Sequence, residues 1–391
     1  MFNDGGMKIF RKIHLWFSVP FGLIITLVCF SGAMLVFEPE LTRCIKSEMY
    51  YVSASEGEPI DMKMLMETVK ASLPDSVSIT GVTVFRDKER TYQVNLSKPR
   101  RASLFIDQYS GEIKGRYERI PFFATMFRLH RWLLDPPADG VKAGKLAVGI
   151  STLFFVIALF TGVVIWWPRA RKNLPRSLSV SLKDGWKGLW KSLHVAGGMY
   201  ALLLLLAMSL TGLTWSFEWY RMAFYKACGV EYTSRRNDTS GRGARRNEPR
   251  EGMPRGSAEM RGERGGGNEN SPEFDRWQQV YDELKADRAG AIQITITPGS
   301  ATVKTASFGN VRASDRYEFD HRTGDITSLV RYDDSNGSER LRGWIYSIHT
   351  GSLGGVFTRI LWFLSALLGA SLPLTGYYIW IRRLRKNKNR V

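Results

Sequence analysis

The fold class the sequence predicts is a membrane all-α four-helix bundle, built from a duplicated two-helix unit and carrying α+β modules on its outer side. Three observations predict it. Four uncharged stretches, at 15–37, 146–167, 195–217 and 360–381, are each long enough as helices to cross about 30 Å of hydrocarbon. Basic residues crowd beside them: Arg11 and Lys12, then Arg169, Arg171 and Lys172, then Arg382, Arg383, Arg385 and Lys386. Finally, the two halves of the chain repeat one another in the spacing of particular residues.

The first stretch is too long for a signal-peptide core and lacks a small-residue cleavage site, so a retained anchor is expected. The 168–192 connection carries seven basic residues against one acid, Asp184, the signature of a cytoplasmic loop. The 39–129 segment is nearly balanced and can translocate. Both termini and the middle loop are therefore expected in the cytoplasm of a cytoplasmic-membrane protein. The spans with their approaches fall at 8–38, 130–168, 194–218 and 344–382. A loop at 169–193 and a tail at 383–391 lie inside, and segments 39–129 and 219–343 lie outside. Insertion into lipid accounts for the net charge of +18. No basic face with stacking aromatics points to nucleic acid.

Each outer segment carries one small pattern. Residues 61–73 read as an amphipathic helix followed by strand-like runs near 78–86, 90–97 and 101–108. Residues 274–286 read the same way before runs near 291–297, 301–308 and 315–321. Both third runs end in matching turns, "FIDQYSGEI" from Phe105 and "EFDHRTGDI" from Glu318, aligning Asp107 with Asp320 and Gly111 with Gly324. The second module spans 274–332. Before it, 235–272 is rich in Arg, Gly, Asn and Glu and too poor in large apolar residues to fold, so a disordered linker is expected.

The repeat extends to the spans. His14 is followed by Ser31-Gly32 and Phe37-Glu38, and His194 by Thr211-Gly212 and Phe217-Glu218, at identical spacings (32 − 14 = 212 − 194 = 18). Spans two and four both end alike, "TGVVIWWPR" from Thr161 and "TGYYIWIRR" from Thr375. Of the five histidines, His14 and His194 are equivalent at the inner ends of spans one and three. His130 and His349 are equivalent before spans two and four, the extra "DPPADG" turn after Leu134 absorbing a five-residue difference. His321 has no counterpart.

Two neutral imidazoles facing each other across a flat macrocycle make a bis-histidine haem site, and bundled helices can present them. A single histidine near a span reads more simply as an interfacial residue bonded to a carbonyl. Four of five in two equivalent pairs favour two haems, one toward each membrane face. Two histidines alone leave a tetrahedral zinc site short of ligands. With only Cys29, Cys44 and Cys228 there is no CxxCH for covalent haem attachment. The Ser/Thr-Gly pairs read as small residues allowing close approach. Trp166, Trp167, Trp215, Trp219 and Trp380 read as belt residues at the membrane interfaces. Arg128, Arg131 and Arg359 are candidate haem-propionate partners or snorkelling anchors. Glu38 and Glu218 are candidate substrate-side residues or solvated flanks. Cys44 and Cys228 either bridge the two halves or stay free thiols, while Cys29 is expected to be buried.

With these histidines, the Ser/Thr-Gly marks and the "SGEI"/"TGDI" turns, the chain resembles the PepSY-associated transmembrane family over about 8–386, the linker apart. Within it, the likeness is to the inner-membrane ferric-siderophore reductases. That resemblance implies two haem b on His14, His194, His130 and His349, PepSY-like modules in the periplasm, and one-electron reduction of a ferric siderophore. No catalytic acid, base or nucleophile is expected, because outer-sphere transfer needs none. The chain has no GxGxxG, so an electron donor outside it, cytoplasmic or quinol, is expected. Two other functions compete: a non-enzymatic PepSY membrane regulator, and a haem-bearing membrane subunit feeding a separate periplasmic reductase. A straight helix puts His14 about 36 Å below Glu38, too far for efficient electron tunnelling unless the outer ligands dip inward.

Overall fold

The computed structural model describes residues 4–53, 57–99, 102–135, 143–181, 185–233, 274–305 and 309–388. The expected linker 235–272 lies outside the described residues, as does most of the "DPPADG" turn. Four helices are long and apolar enough to cross a membrane. They are α1 (Asp4–Val36), α5 (Ala143–Ala170), α6 (Gly185–Ser216) and α10 (Gly355–Lys388). α1 packs against α5 and α10, and α6 against the same two, so the four close a ring. Ile25, Phe155, Leu159, Ala201, Leu205 and Leu372 fill its middle, with Cys29 packed against them. Large apolar side chains such as Trp16 and Leu203 stay more than three-quarters exposed to the outside of the ring, where lipid covers them.

Short helices surround the spans. α2 (Glu38–Ile45) and α7 (Glu218–Ala227) continue from α1 and α6, while α4 (Pro121–Trp132) and α9 (Gly337–Thr350) lead into α5 and α10. Inside α6, residues Leu193–Gly197 form a π-helical turn that contains His194. Such turns shift the facing of a helix by a residue and recur at functional sites.

The remaining elements form a sheet domain. Its strands are β1 (Ile79–Phe85), β2 (Tyr92–Leu96), β3 (Ser103–Ile106), β4 (Ile113–Arg116), β5 (Ala291–Thr297), β6 (Ser300–Thr305), β7 (Asp315–Phe319) and β8 (Ile326–Val330). Two helices accompany them, α3 (Met62–Ser72) and α8 (Trp277–Asp287). Alternating burial, as in β2, selects the pleated strands. The matched turns form as the sequence indicates: Asp107 and Asp320 each accept from backbone N–H groups of the turn, and Gly111 and Gly324 adopt φ of +75° and +85°.

Two features differ from the expectation of separate three-stranded modules. Each module has a fourth strand, β4 or β8, which follows the matched turn and pairs back on the third. More importantly, β1 pairs antiparallel with β5, Val82 opposite Ile296 and Val84 opposite Ile294, giving one eight-stranded sheet in the order β4-β3-β2-β1-β5-β6-β7-β8. One face of it carries a shared core in which Met62, Leu65 and Met66 of α3 and Trp277, Val280 and Leu284 of α8 pack over Val82, Val94, Ile294 and Val303. The helices also touch directly, through the Lys63–Asp275 ion pair at 2.7 Å and the Met62 N–H donating to Gln278 Oε1. Trp277→Ala would empty a buried site in this core. It is expected to cost about 3–5 kcal/mol and to destabilise both modules together, read as a single cooperative loss of strand signal on heating.

Candidate functional site: two facing histidine pairs

The four repeat-related histidines come together in two pairs. The His14 and His194 rings lie 6.3 Å apart between centroids, close to perpendicular, and the His130 and His349 rings lie 6.0 Å apart, tilted by 55°. His14 comes from α1 and His194 from the π turn of α6, whereas His130 and His349 stand in the last turns of α4 and α9. His321 sits exposed on the turn between β7 and β8.

Each ring is held in one way. Nδ1 of His14 bonds the Ala158 carbonyl at 3.1 Å, that of His194 the Leu372 carbonyl at 3.1 Å, that of His130 the Val28 carbonyl at 2.8 Å and that of His349 the Met208 carbonyl at 2.9 Å. A carbonyl oxygen only accepts, so every Nδ1 carries the proton and every Nε2 is left with its lone pair. In three of the four, a threonine hydroxyl stands at the same Nδ1: Thr161 at 3.1 Å, Thr375 at 2.9 Å and Thr211 at 3.2 Å. Those hydroxyls donate to carbonyls of their own helix, which orients an oxygen lone pair toward the imidazole.

The Ser/Thr-Gly pairs therefore do more than allow close packing. Each carbonyl lies three residues before a Ser31, Thr161, Thr211 or Thr375, and the next residue is the glycine against which the ring rests. A Cβ on Gly32 would stand 2.8 Å from His130 Cε1, and one on Gly212, Gly376 or Gly162 would stand 3.1, 3.3 or 3.7 Å from Cε1 of His349, His194 or His14. This cradle was hidden in the sequence because each motif serves a histidine on a different helix. Its signal was present: one Ser/Thr-Gly dipeptide in each of the four spans, for four paired histidines.

The geometry suits a metal held between opposed imidazoles. Two bonds of about 2 Å, each extended by about 1.1 Å from nitrogen to ring centre, span about 6 Å. Among the described residues no cluster of three or more histidine, cysteine or carboxylate side chains could hold a metal ion. Two imidazoles in each pair are a donor set that would hold the iron of a haem, and a hydrogen bond from Nδ1–H to an oxygen acceptor is the usual support of such a ligand.

The family model for the PepSY-associated TM region matches residues 11–383. The chain belongs to this family. No curated protein matches the sequence of this PepSY-associated TM protein.

Other candidate residues of this PepSY-associated TM protein have their own partners. Arg359 binds the Glu40 carboxylate and the Val36 carbonyl at the end of α1, and covers the Phe37 ring. Burial alone would raise the Glu40 carboxyl, but the hydrogen-bonded Arg359 guanidinium outweighs it and holds Glu40 below the usual carboxylate range. Arg128 donates to the Leu134 carbonyl at 3.3 Å, and Arg131 lies over Phe127 and Trp132. Glu38 takes two bonds from Arg119, whereas Glu218 is largely exposed beside Arg221. Of these five, Arg131 adjoins His130 and acts on it through its charge. Trp215 also lies at a paired ring, its indole meeting His349 edge-on at 5.0 Å. Cys44 and Cys228 are both free and exposed.

The two pairs are closer than the ends of α1 suggest. The His130 ring meets α1 at Val28 to Gly32, which is 14 to 18 residues beyond His14 (28 − 14 and 32 − 14). That is about 21–27 Å along the helix, not 36 Å. His130 and His349 reach toward the middle of the bundle from their own short helices, α4 and α9.

Proposed function

We propose that this protein carries electrons across the cytoplasmic membrane and reduces ferric siderophores on its periplasmic side. His14 and His194 would hold an inner haem b, and His130 and His349 an outer one. A haem bound at each pair supplies a one-electron relay. The observation that carries this reading is the repeated cradle, four imidazoles fixed through Nδ1 with Nε2 turned loose in two facing pairs. A plain interfacial histidine also bonds a carbonyl, but it has no reason to lie within about 6 Å of its repeat counterpart, as both pairs do.

The residues of the chain do the rest. Nδ1–H bonds to carbonyls fix the tautomer and orientation of the imidazoles, and threonine oxygens reinforce them on three rings. The apolar middle of the bundle keeps water from the path between the pairs. At the outer face one electron converts Fe(III) of the chelate to Fe(II), for which hard catecholate or hydroxamate oxygens have far less affinity, so iron is released. A cytoplasmic or quinol donor supplies the electron inside.

Purified protein is expected to contain two haems per chain with low-spin spectra, by pyridine haemochrome assay. After anaerobic reduction by dithionite, ferric siderophore should reoxidise it while a chelator traps Fe(II). Absence of haem would sink the proposal in favour of a PepSY regulator. Reoxidation by a partner protein but not by ferric chelates would favour the membrane-subunit role.

A further inference from the structure

Trp166 presents an indole N–H that is sealed from solvent and, among the described residues, bonds to nothing. Such a donor is disfavoured unless an acceptor reaches it. Its place is specific. Ala158, whose carbonyl holds His14, Gly162, on which His14 rests, and Trp166 follow one another at four-residue steps on α5, so they share one face of the helix. Trp166 is thus one turn beyond the His14 cradle, toward the end of α5 where the basic loop begins.

The chain that follows α5, and the one that ends α10, are rich in cations and poor in carboxylates. The 168–192 connection has seven basic residues and one acid, and the stretch from Arg382 to Val391 has no acid at all. With side-chain carboxylates scarce at this end of the bundle, the acceptor is sought in what the inner pair binds. We infer that the Trp166 indole N–H donates a hydrogen bond to a propionate carboxylate of the haem held by His14 and His194, making Trp166 a cofactor-binding residue. This rests on the proposed haem function. The anionic edge of the macrocycle then faces the basic inner end of the bundle, where opposite charge favours it. A quinol headgroup is the other oxygen-bearing ligand this place could meet, and the test separates the two.

The test compares wild-type protein with Trp166→Phe, which keeps an aromatic ring and removes the donor. Both carry a parallel His14→Ala version that retains only the outer haem. Haem content, the midpoint potential of each haem and the propionate bending mode in resonance Raman spectra are measured. The expected result is a downward shift in the inner potential and a shifted propionate mode, or loss of the inner haem alone. In the His14→Ala background Trp166→Phe should change neither quantity. Two haems with unaltered potentials and Raman modes would overturn the assignment, as would an effect confined to the rate of reduction by a soluble quinol. A wild-type protein without haem would overturn the functional proposal itself, a result distinct from both.

Discussion

Protein with His130 replaced by alanine is expected to keep one haem of two and to lose reoxidation by ferric siderophore down to the chemical background. His130 is the imidazole paired with His349, 6.0 Å away, so its removal leaves that pair with a single imidazole. His14→Ala should act differently. It is expected to lose the proposed inner haem and keep the outer one, so that chemically reduced protein is still reoxidised by the chelate while electrons no longer arrive from the inner donor. Stopped-flow reoxidation, with haem content measured on the same samples, distinguishes the two variants. Equal loss of chelate-driven reoxidation in both would argue against an ordered path from the inner pair to the outer.

The four cradle glycines should respond to alanine in graded fashion. Replacing glycine by alanine inside a helix gains about 1 kcal/mol of intrinsic propensity. Overpacking a tight contact costs about 1–3 kcal/mol. At Gly162 the new methyl would lie 3.7 Å from the His14 ring, an ordinary contact, so the propensity gain prevails and the variant is expected to be slightly more stable. At Gly32 it would lie 2.8 Å from Cε1 and 3.0 Å from Nδ1 of His130, so the ring must leave its carbonyl. Gly32→Ala is therefore expected to lose the outer haem and to melt earlier, with Gly212 and Gly376 between. Haem occupancy and thermal melts of the four variants check the order. A uniform response would mean that the glycines serve helix packing and not the rings.

Much of this was legible in the sequence because a membrane enforces simple rules. Uninterrupted apolar length marks the four spans, and matched spacings place His14 with His194 and His130 with His349. What escaped were relations between helices. The Ser/Thr-Gly dipeptides announce small residues, and only the packed bundle ties Thr161 to His14 or Thr375 to His194. The π turn at His194 leaves no mark in composition. Trp215 reads like any interfacial tryptophan until α9 brings His349 against it. The β1–β5 seam was hidden for another reason: Val82 and Ile296 are far apart in the chain, and each module alone satisfies its own strand pattern.

That seam sets a timetable for biogenesis. Phe85 is made 206 residues before Ala291 (291 − 85), so at about 5–20 residues per second β1 waits roughly 10–40 s for its neighbour. During that interval it is a bare strand edge, the kind of surface that recruits foreign chains. Two spans must also be threaded into the bilayer before β5 emerges. The newborn first module needs shelter over that interval, and a pause anywhere between the two strands lengthens its exposure.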